Sequence, residues 1–290
     1  MTIRKGSTGD FVKLIQRFLS IKDDGDFGEK TKNAVIAYQQ KNGLDVDGVV
    51  GNNTINNMVS NGLVLDNPKP NPDISLGRDD IKSIIEANQF QFTFAPNRTN
   101  PNPTTFNMNE HLIVVAIRGY KLSLGASGKN DRGIYDDAHF IYTPTGLLSF
   151  SGNTDPSSYR VGSGTGSGKG MASVKTGVWA FGKGTHNGRL AFRQTVPFTV
   201  IRDGKPSYED TGYFGINWHN GNLSTTSSAG CQTNRPEDYD TLRKFIYNEL
   251  ETLKNPKMNT DWGKDESTVV GAFPYILIDE VERQKGNLIV

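Results

Sequence analysis

The chain of 290 residues contains a single cysteine, Cys231. Upstream of it the run Tyr213-Phe214-Gly215-Ile216-Asn217-Trp218-His219-Asn220-Gly221 reads as a strand ending in a histidine, and a polar loop then leads into Ser227-Ser228-Ala229-Gly230-Cys231-Gln232. A base and a thiol are thus offered on adjacent short elements. A cysteine is mostly thiol at neutral pH, whereas attack on an amide carbonyl needs the thiolate, which a nearby imidazole favours by accepting the proton. His219 is the natural partner. Gly230 allows a sharp turn and close approach to substrate, so the amides of Gly230 and Cys231 are expected to face a developing oxyanion, with Ser228 adding a hydroxyl. The competing reading makes Cys231 a small core residue and His219 a satisfied strand end.

Other polar groups carry less. His186, in the polar turn Thr185-His186-Asn187-Gly188, reads as a surface-loop histidine, with a second base as the alternative. His111 and His139 alternate into strands and read as structural. Asp136, Asp137 and His139 stand together on a strand edge, but no strong zinc spacing accompanies them, so neither a metal nor a cofactor is expected. The glycine-rich tract at residues 162–170 lacks the Lys-Ser/Thr of a phosphate-binding loop before a helix and is expected to be a mobile loop.

A net charge of +1, from 32 basic and 31 acidic residues, provides no global field for nucleic acid or an anionic membrane. One cysteine forms no internal disulfide. The first ten residues have charge but no apolar run behind them, and no stretch is long enough to span a bilayer. The expectation is a protein made in the cytoplasm without a signal peptide, with no membrane insertion, and a monomer.

The elements that position the thiol fall into two regions. Residues 11–19 carry Phe11, Val12, Ile15, Phe18 and Leu19 at helical spacing, residues 29–41 form a second helix burying Ala34, Val35, Ala37 and Tyr38, and a third starts near Asn53. A repeat runs through them: Asp24-Gly25-Asp26-Phe27-Gly28 with Thr31, then Asp47-Gly48-Val49-Val50-Gly51 with Thr54, each before a helix, with an apolar residue anchoring each turn. Residues 63–78, with prolines at 68, 70 and 72, read as an extended linker. Beyond it come a helix at 79–88, the alternating Phe90, Phe92 and Phe94 as a strand, a polar loop at 97–107, and short β-rich runs at 112–117, 139–142, 147–150, 198–201, 214–218 and 273–278. Only residues 239–253 read as a long helix. The predicted architecture is a small three-helix domain (1–62) linked to a mainly β sandwich or barrel with docked helices (79–290).

Lys5-Gly6-Ser7-Thr8-Gly9 with Val12, Gln16 and Leu19, followed by the two repeats, Ala34-Val35, Tyr38-Gln39 and Gly43-Leu44, resembles the three-helix peptidoglycan-binding domain found beside many cell-wall enzymes. A strand ending in His219, then Ser228-Ala229-Gly230-Cys231, resembles the L,D-transpeptidase catalytic domain, as does Ser173-Val174-Lys175-Thr176-Gly177-Val178-Trp179 as a strand entry. That resemblance spans about residues 107–279. It implies that Cys231 attacks the carbonyl of the third residue of a stem peptide, that His219 is the base, and that Asn220 orients it. Three positions depart: Ala229 stands where a second histidine is usual, Gln232-Thr233 replaces an apolar-Arg pair, and the His-to-Cys loop is short. Residues 151–156, 184–188, 215–221 and 226–233 together are similar to phage-encoded proteins of this fold.

The combined expectation is a peptidoglycan-degrading phage endolysin, a Cys/His hydrolase of stem peptides tethered by its first domain to bacterial peptidoglycan. It would be made in the host cytoplasm and reach the wall or periplasm after holin-type release. The alternatives are an L,D-transpeptidase that cross-links stem peptides, or glycan cleavage or non-catalytic wall binding on the same fold.

Overall fold

The computed structural model describes residues 3–8, 10–61, 63, 74–97, 100–124, 130–162, 166–222, 225–260 and 269–290. The proline-bearing part of the expected linker and residues 163–165 of the 162–170 tract lie outside them. The chain divides into two compact units, one of residues 1–75 and 145–148 and one of residues 76–144 and 149–290.

The first unit is built on helices α1 (Asp10–Phe18), α2 (Glu29–Lys41) and α3 (Asn52–Ser60). Its core holds Ile3, Val12, Ile15, Phe27, Val35, Val50 and Met58, so the apolar residue of each repeated turn, Phe27 and Val50, is a core anchor. Ala37, expected inside, is exposed, and Gln39 takes the buried position. The reason is a duplicated polar network. Gln16 Nε2 donates to the Asp24 carboxylate, the Asp26 carbonyl and Thr31 Oγ1, while its Oε1 accepts the Gly25 amide. Gln39 repeats this with Asp47, Val49, Thr54 and Gly48. Each buried glutamine thereby satisfies the backbone of the turn that follows its helix.

The second unit carries α4 (Arg78–Asn88), then β1 (Thr93–Phe94), β2 (Thr104–Thr105), β3 (Ile113–Arg118), β4 (Asp137–Thr143), β5 (Gly146–Asn153), β6 (Ala172–Val174), β7 (Gly177–His186), β8 (Arg189–Gln194), β9 (Phe198–Arg202), β10 (Tyr208–Gly212), β11 (Asn217–Asn220), β12 (Gln232–Asn234), α5 (Pro236–Thr252), β13 (Lys257–Asn259), β14 (Val269–Asp279) and α6 (Glu280–Gln284). Strands run in the order β13-β14-β3-β4-β5-β12-β11-β8-β7, and β14 also pairs β7. The sheet therefore closes into a barrel, which removes its edges. The β7/β8 hairpin turns at Asn187 (φ 50°) and Gly188 (φ 75°), both in the left-handed region that a two-residue hairpin turn needs. The strand expected through Phe90 is instead a 3₁₀ turn at Gln89–Gln91 with Phe90 70% exposed, and only Thr93–Phe94 pairs. The strand expected at residues 214–218 begins at Asn217.

Trp218 is fully buried among Phe192, Phe273, Tyr275 and the His139 ring, with centroids 4.6–6.3 Å apart. Its indole N–H donates to Asn234. The Tyr275 hydroxyl donates to Gln232 Oε1 and so takes the His139 Nε2 proton as acceptor. Burial pushes His139 down to about 3. Gly152 is required beside it, since a Cβ there would stand 2.2 Å from His139 Nδ1.

This histidine gives a stability prediction with a definite sign. Between the ordinary imidazole range and pH 3 the unfolded chain binds a proton at His139 that the folded chain does not, so acidification in that window favours unfolding. The melting temperature is expected to fall from pH 7 to pH 4, and less steeply in His139→Asn. Equal slopes would show that His139 does not drive the loss.

Candidate active site

Two neighbouring parallel strands build the site. β11 and β12 pair in the register Trp218↔Gln232 and His219↔Thr233. Trp218 and Gln232 turn inward to Tyr275 and its neighbours. Strand alternation therefore puts Asn217, His219, Cys231 and Thr233 on the opposite face. On the other flank β8 pairs antiparallel with β11, Asn217 opposite Arg193. His186 closes β7 opposite Arg189.

The loop into Cys231 is held rigidly. Ser157 N–H donates to the Ser228 carbonyl and Ser157 Oγ accepts the Ser228 N–H. Gly230 has φ +149°, and a Cβ there would lie 2.5 Å from the Ala172 carbonyl oxygen, so glycine is needed for this approach. Ser228 Oγ accepts the Gly230 amide at 3.0 Å and donates to the Cys231 carbonyl at 2.7 Å. The expectation that the Gly230 amide and the Ser228 hydroxyl face an oxyanion is therefore corrected: both are spent inside the turn. The Cys231 N–H has no hydrogen-bond partner among the described residues.

The Cys231 sulfur lies 3.5 Å from the Asn217 main-chain N–H and 3.8 Å from the Gly215 carbonyl. Burial pushes the thiol pKa up, and hydrogen bonds from the Asn217 main chain and side chain pull it back. His219 is half-buried, with Nδ1 2.7 Å from the Asn220 carbonyl. A carbonyl only accepts, so Nδ1 carries the proton and Nε2 keeps its lone pair. Asn220 thus holds the ring through its main chain, while its side-chain amide turns to Gly221. No hydrogen bond joins Cys231 to His219 among the described residues; their link is the shared strand face.

His186, expected on a surface loop, is half-buried and stacks on His219, with centroids 4.7 Å apart and planes 21° from parallel. Its Nδ1 faces the Asn217 side-chain amide at 3.0 Å. Burial lowers the pKa of both rings, the Asn220 carbonyl partly offsets this at His219, and repulsion lowers each further, from His186 were it protonated for His219 and from the Arg193 cation for His186. Adjacent imidazoles resist double protonation, so the pair stays neutral near pH 7. Asn217, unremarked in the sequence, touches both the sulfur and His186; only its alternation with His219 pointed to it. Asp136, Asp137 and His139 do not join this face: the Asp137 carboxylate accepts the Gly119 and Thr154 amides, and His139 lies inside the barrel. Among the described residues no group of three or more His, Cys, Asp or Glu side chains is placed to hold a metal ion.

Asn217→Ala keeps the main-chain N–H beside the sulfur and removes the side-chain amide that also lowers the thiol pKa, so alkylation of Cys231 by iodoacetamide at pH 7 should slow by about threefold. An unchanged alkylation rate would remove Asn217 from the account of the thiol.

Two solved structures are similar at low identity. A fused Zn-dependent amidase/peptidase/peptidoglycan-binding domain-containing protein from Clostridium acetobutylicum ATCC 824 is 18% identical over 96% of this chain and 99% of its own, with a TM-score of 0.23. The L,D-transpeptidase of Xylanimonas cellulosilytica DSM 15894 is 15% identical over 96% of this chain and 97% of its own, with a TM-score of 0.28. Residues 8–58 match the family model described as "Putative peptidoglycan binding domain", and the three-helix unit resembles that domain on this match as well as on its repeats.

Proposed function

We propose that this protein is a peptidoglycan-degrading enzyme that cleaves stem peptides through the thiolate of Cys231, with His219 as base. The observation that carries the reading is the pairing of β11 and β12, with Cys231 directly before β12, its sulfur on the Asn217 N–H of β11, His219 two residues further along β11 and, among the described residues, no hydrogen bond to His219 Nε2. The match of residues 8–58 supports peptidoglycan as the polymer held. A binding domain tethered to an insoluble wall raises the local concentration of the attached catalytic unit.

In the proposed reaction Nε2 takes the thiol proton as sulfur attacks the amide carbonyl carbon. The Cys231 N–H faces the oxyanion. The C–N bond then breaks, and the imidazolium returns its proton to the leaving amine. Water hydrolyses the thioester with His219 again as base, releasing the shortened peptide acid and restoring the thiol. Catalytic hydrogen bonds often tighten only when substrate is bound, which accommodates a Cys231–His219 pair that share a face without a direct bond.

The finer reading is a phage endolysin, supported by the likeness of residues 151–156, 184–188, 215–221 and 226–233 to phage-encoded proteins. It would be made in the host cytoplasm and act on the wall after release through a membrane lesion. Intact-protein mass spectrometry during turnover tests the chemistry. A stem-peptide adduct on Cys231 that decays with water to shortened peptide is expected; cross-linked peptide dimers instead would make the protein a transpeptidase.

A further inference from the structure

A cleft of about 670 Å³ opens beside the loop that delivers Cys231, lined by Arg132, Arg160, Met171, Thr225 and residues 227–229 among others. Its two cations differ. Arg132 is neutralised: its guanidinium bonds both oxygens of Asp203, at 2.7 and 2.9 Å. Arg160 is anchored only by its main chain, N–H to Asp203 at 2.8 Å and carbonyl to the Met171 N–H at 3.1 Å. Among the described residues its guanidinium has no ion-pair or hydrogen-bond partner. Among the described residues no carboxylate lines the cleft, whereas the exposed Thr225, Ser227 and Ser158 surround it. Ala229, two residues before Cys231, is exposed on its wall.

An uncompensated guanidinium on a fixed backbone, ringed by hydroxyls, is suited to a carboxylate, which it can bind through two parallel N–H donors. We infer that this cleft is the subsite for a free carboxylate of the stem peptide and that Arg160 recognises it, an inference that rests on the peptidase reading above. The carboxylate has two possible sources, the C-terminal α-carboxylate one residue beyond the scissile bond or the α-carboxylate of the γ-linked glutamyl residue. Met171, 9% exposed at the cleft, offers an apolar contact for an alanyl methyl.

The test uses the full chain and synthetic alanyl-γ-glutamyl-lysyl-alanine with three end states: both carboxylates free, the C-terminal one amidated, or the glutamyl one amidated. Wild type is expected to lose about ten- to a hundredfold in kcat/KM on one amidation, chiefly through KM, and the sensitive position names the source. In Arg160→Ala the ratio between free and amidated peptide falls to about one, and Arg160→Lys restores part of it; circular dichroism checks that each variant is folded. Cleavage by wild type that ignores both amidations overturns the inference while sparing the peptidase reading. Failure to cleave any of the three peptides, or cleavage that survives Cys231→Ala, overturns the peptidase reading and this inference with it.

Discussion

Cys231→Ser should fold like the wild type and lose stem-peptide cleavage by on the order of 10³-fold or more, since a hydroxyl is far harder to deprotonate than a thiol and single nucleophile losses are that large. The sulfur sits in a turn tied by Ser228, Ser157 and Gly230, none of which contacts it through a bond that oxygen would break. Thermal melting should therefore move little. The informative pairing is an unchanged melting temperature with abolished turnover; retained turnover would return Cys231 to the role of a core residue.

His219→Ala is expected to lower kcat by about 10²–10⁴-fold, the usual range for a positioned base. The pH dependence adds a sign. Burial and the neighbouring His186 hold the His219 imidazole below its ordinary range, so the neutral base persists to lower pH than in a free histidine. Activity should be flat through pH 7 and decline only below about pH 6.5, the unperturbed value. The thiol is pushed up by its burial, so no loss on the alkaline side is expected from its ionisation. In His219→Ala the acid limb should vanish along with the rate. An acid limb that persists with the same midpoint would assign it to another group, with His186 the first to examine.

The legible and illegible parts of this molecule differ for physical reasons. Helix α2 lies where its periodicity and Asn42-Gly43 stop placed it, because a helical face and its terminator are local signals. The repeated Asp-Gly turns were equally visible. Gln16 and Gln39 were legible only as part of the resemblance; their burial and bonds to these turns were not, since a buried glutamine on a helix looks like a solvated one until the turn it feeds is in place. On the catalytic side, the Cys231 turn and the His219 strand were legible as residue types at short range. The neighbours that tune them were not. β7 contains Gly177, Gly182 and Gly184, and only its entry at Gly177 was legible, by resemblance; Gly182 and Gly184 are needed where a Cβ would strike Thr260 and Arg193. His186 looked like a turn residue because Asn187-Gly188 follows it; the same turn fixes the register that makes it the last residue of β7 and stacks it on His219. Phe90, Phe92 and Phe94 alternate like a strand, but a 3₁₀ turn exposes the first while burying the second.

Mass spectrometry of purified peptidoglycan digested by the wild type and by Cys231→Ala tests the central claim most directly, reading stem-peptide lengths and sugar ends in one experiment. The account predicts shortened or separated stem peptides with the wild type, intact ones with Cys231→Ala, and product masses that name the bond. New sugar ends that survive the substitution would contradict it and assign the chemistry to glycan cleavage without the thiol.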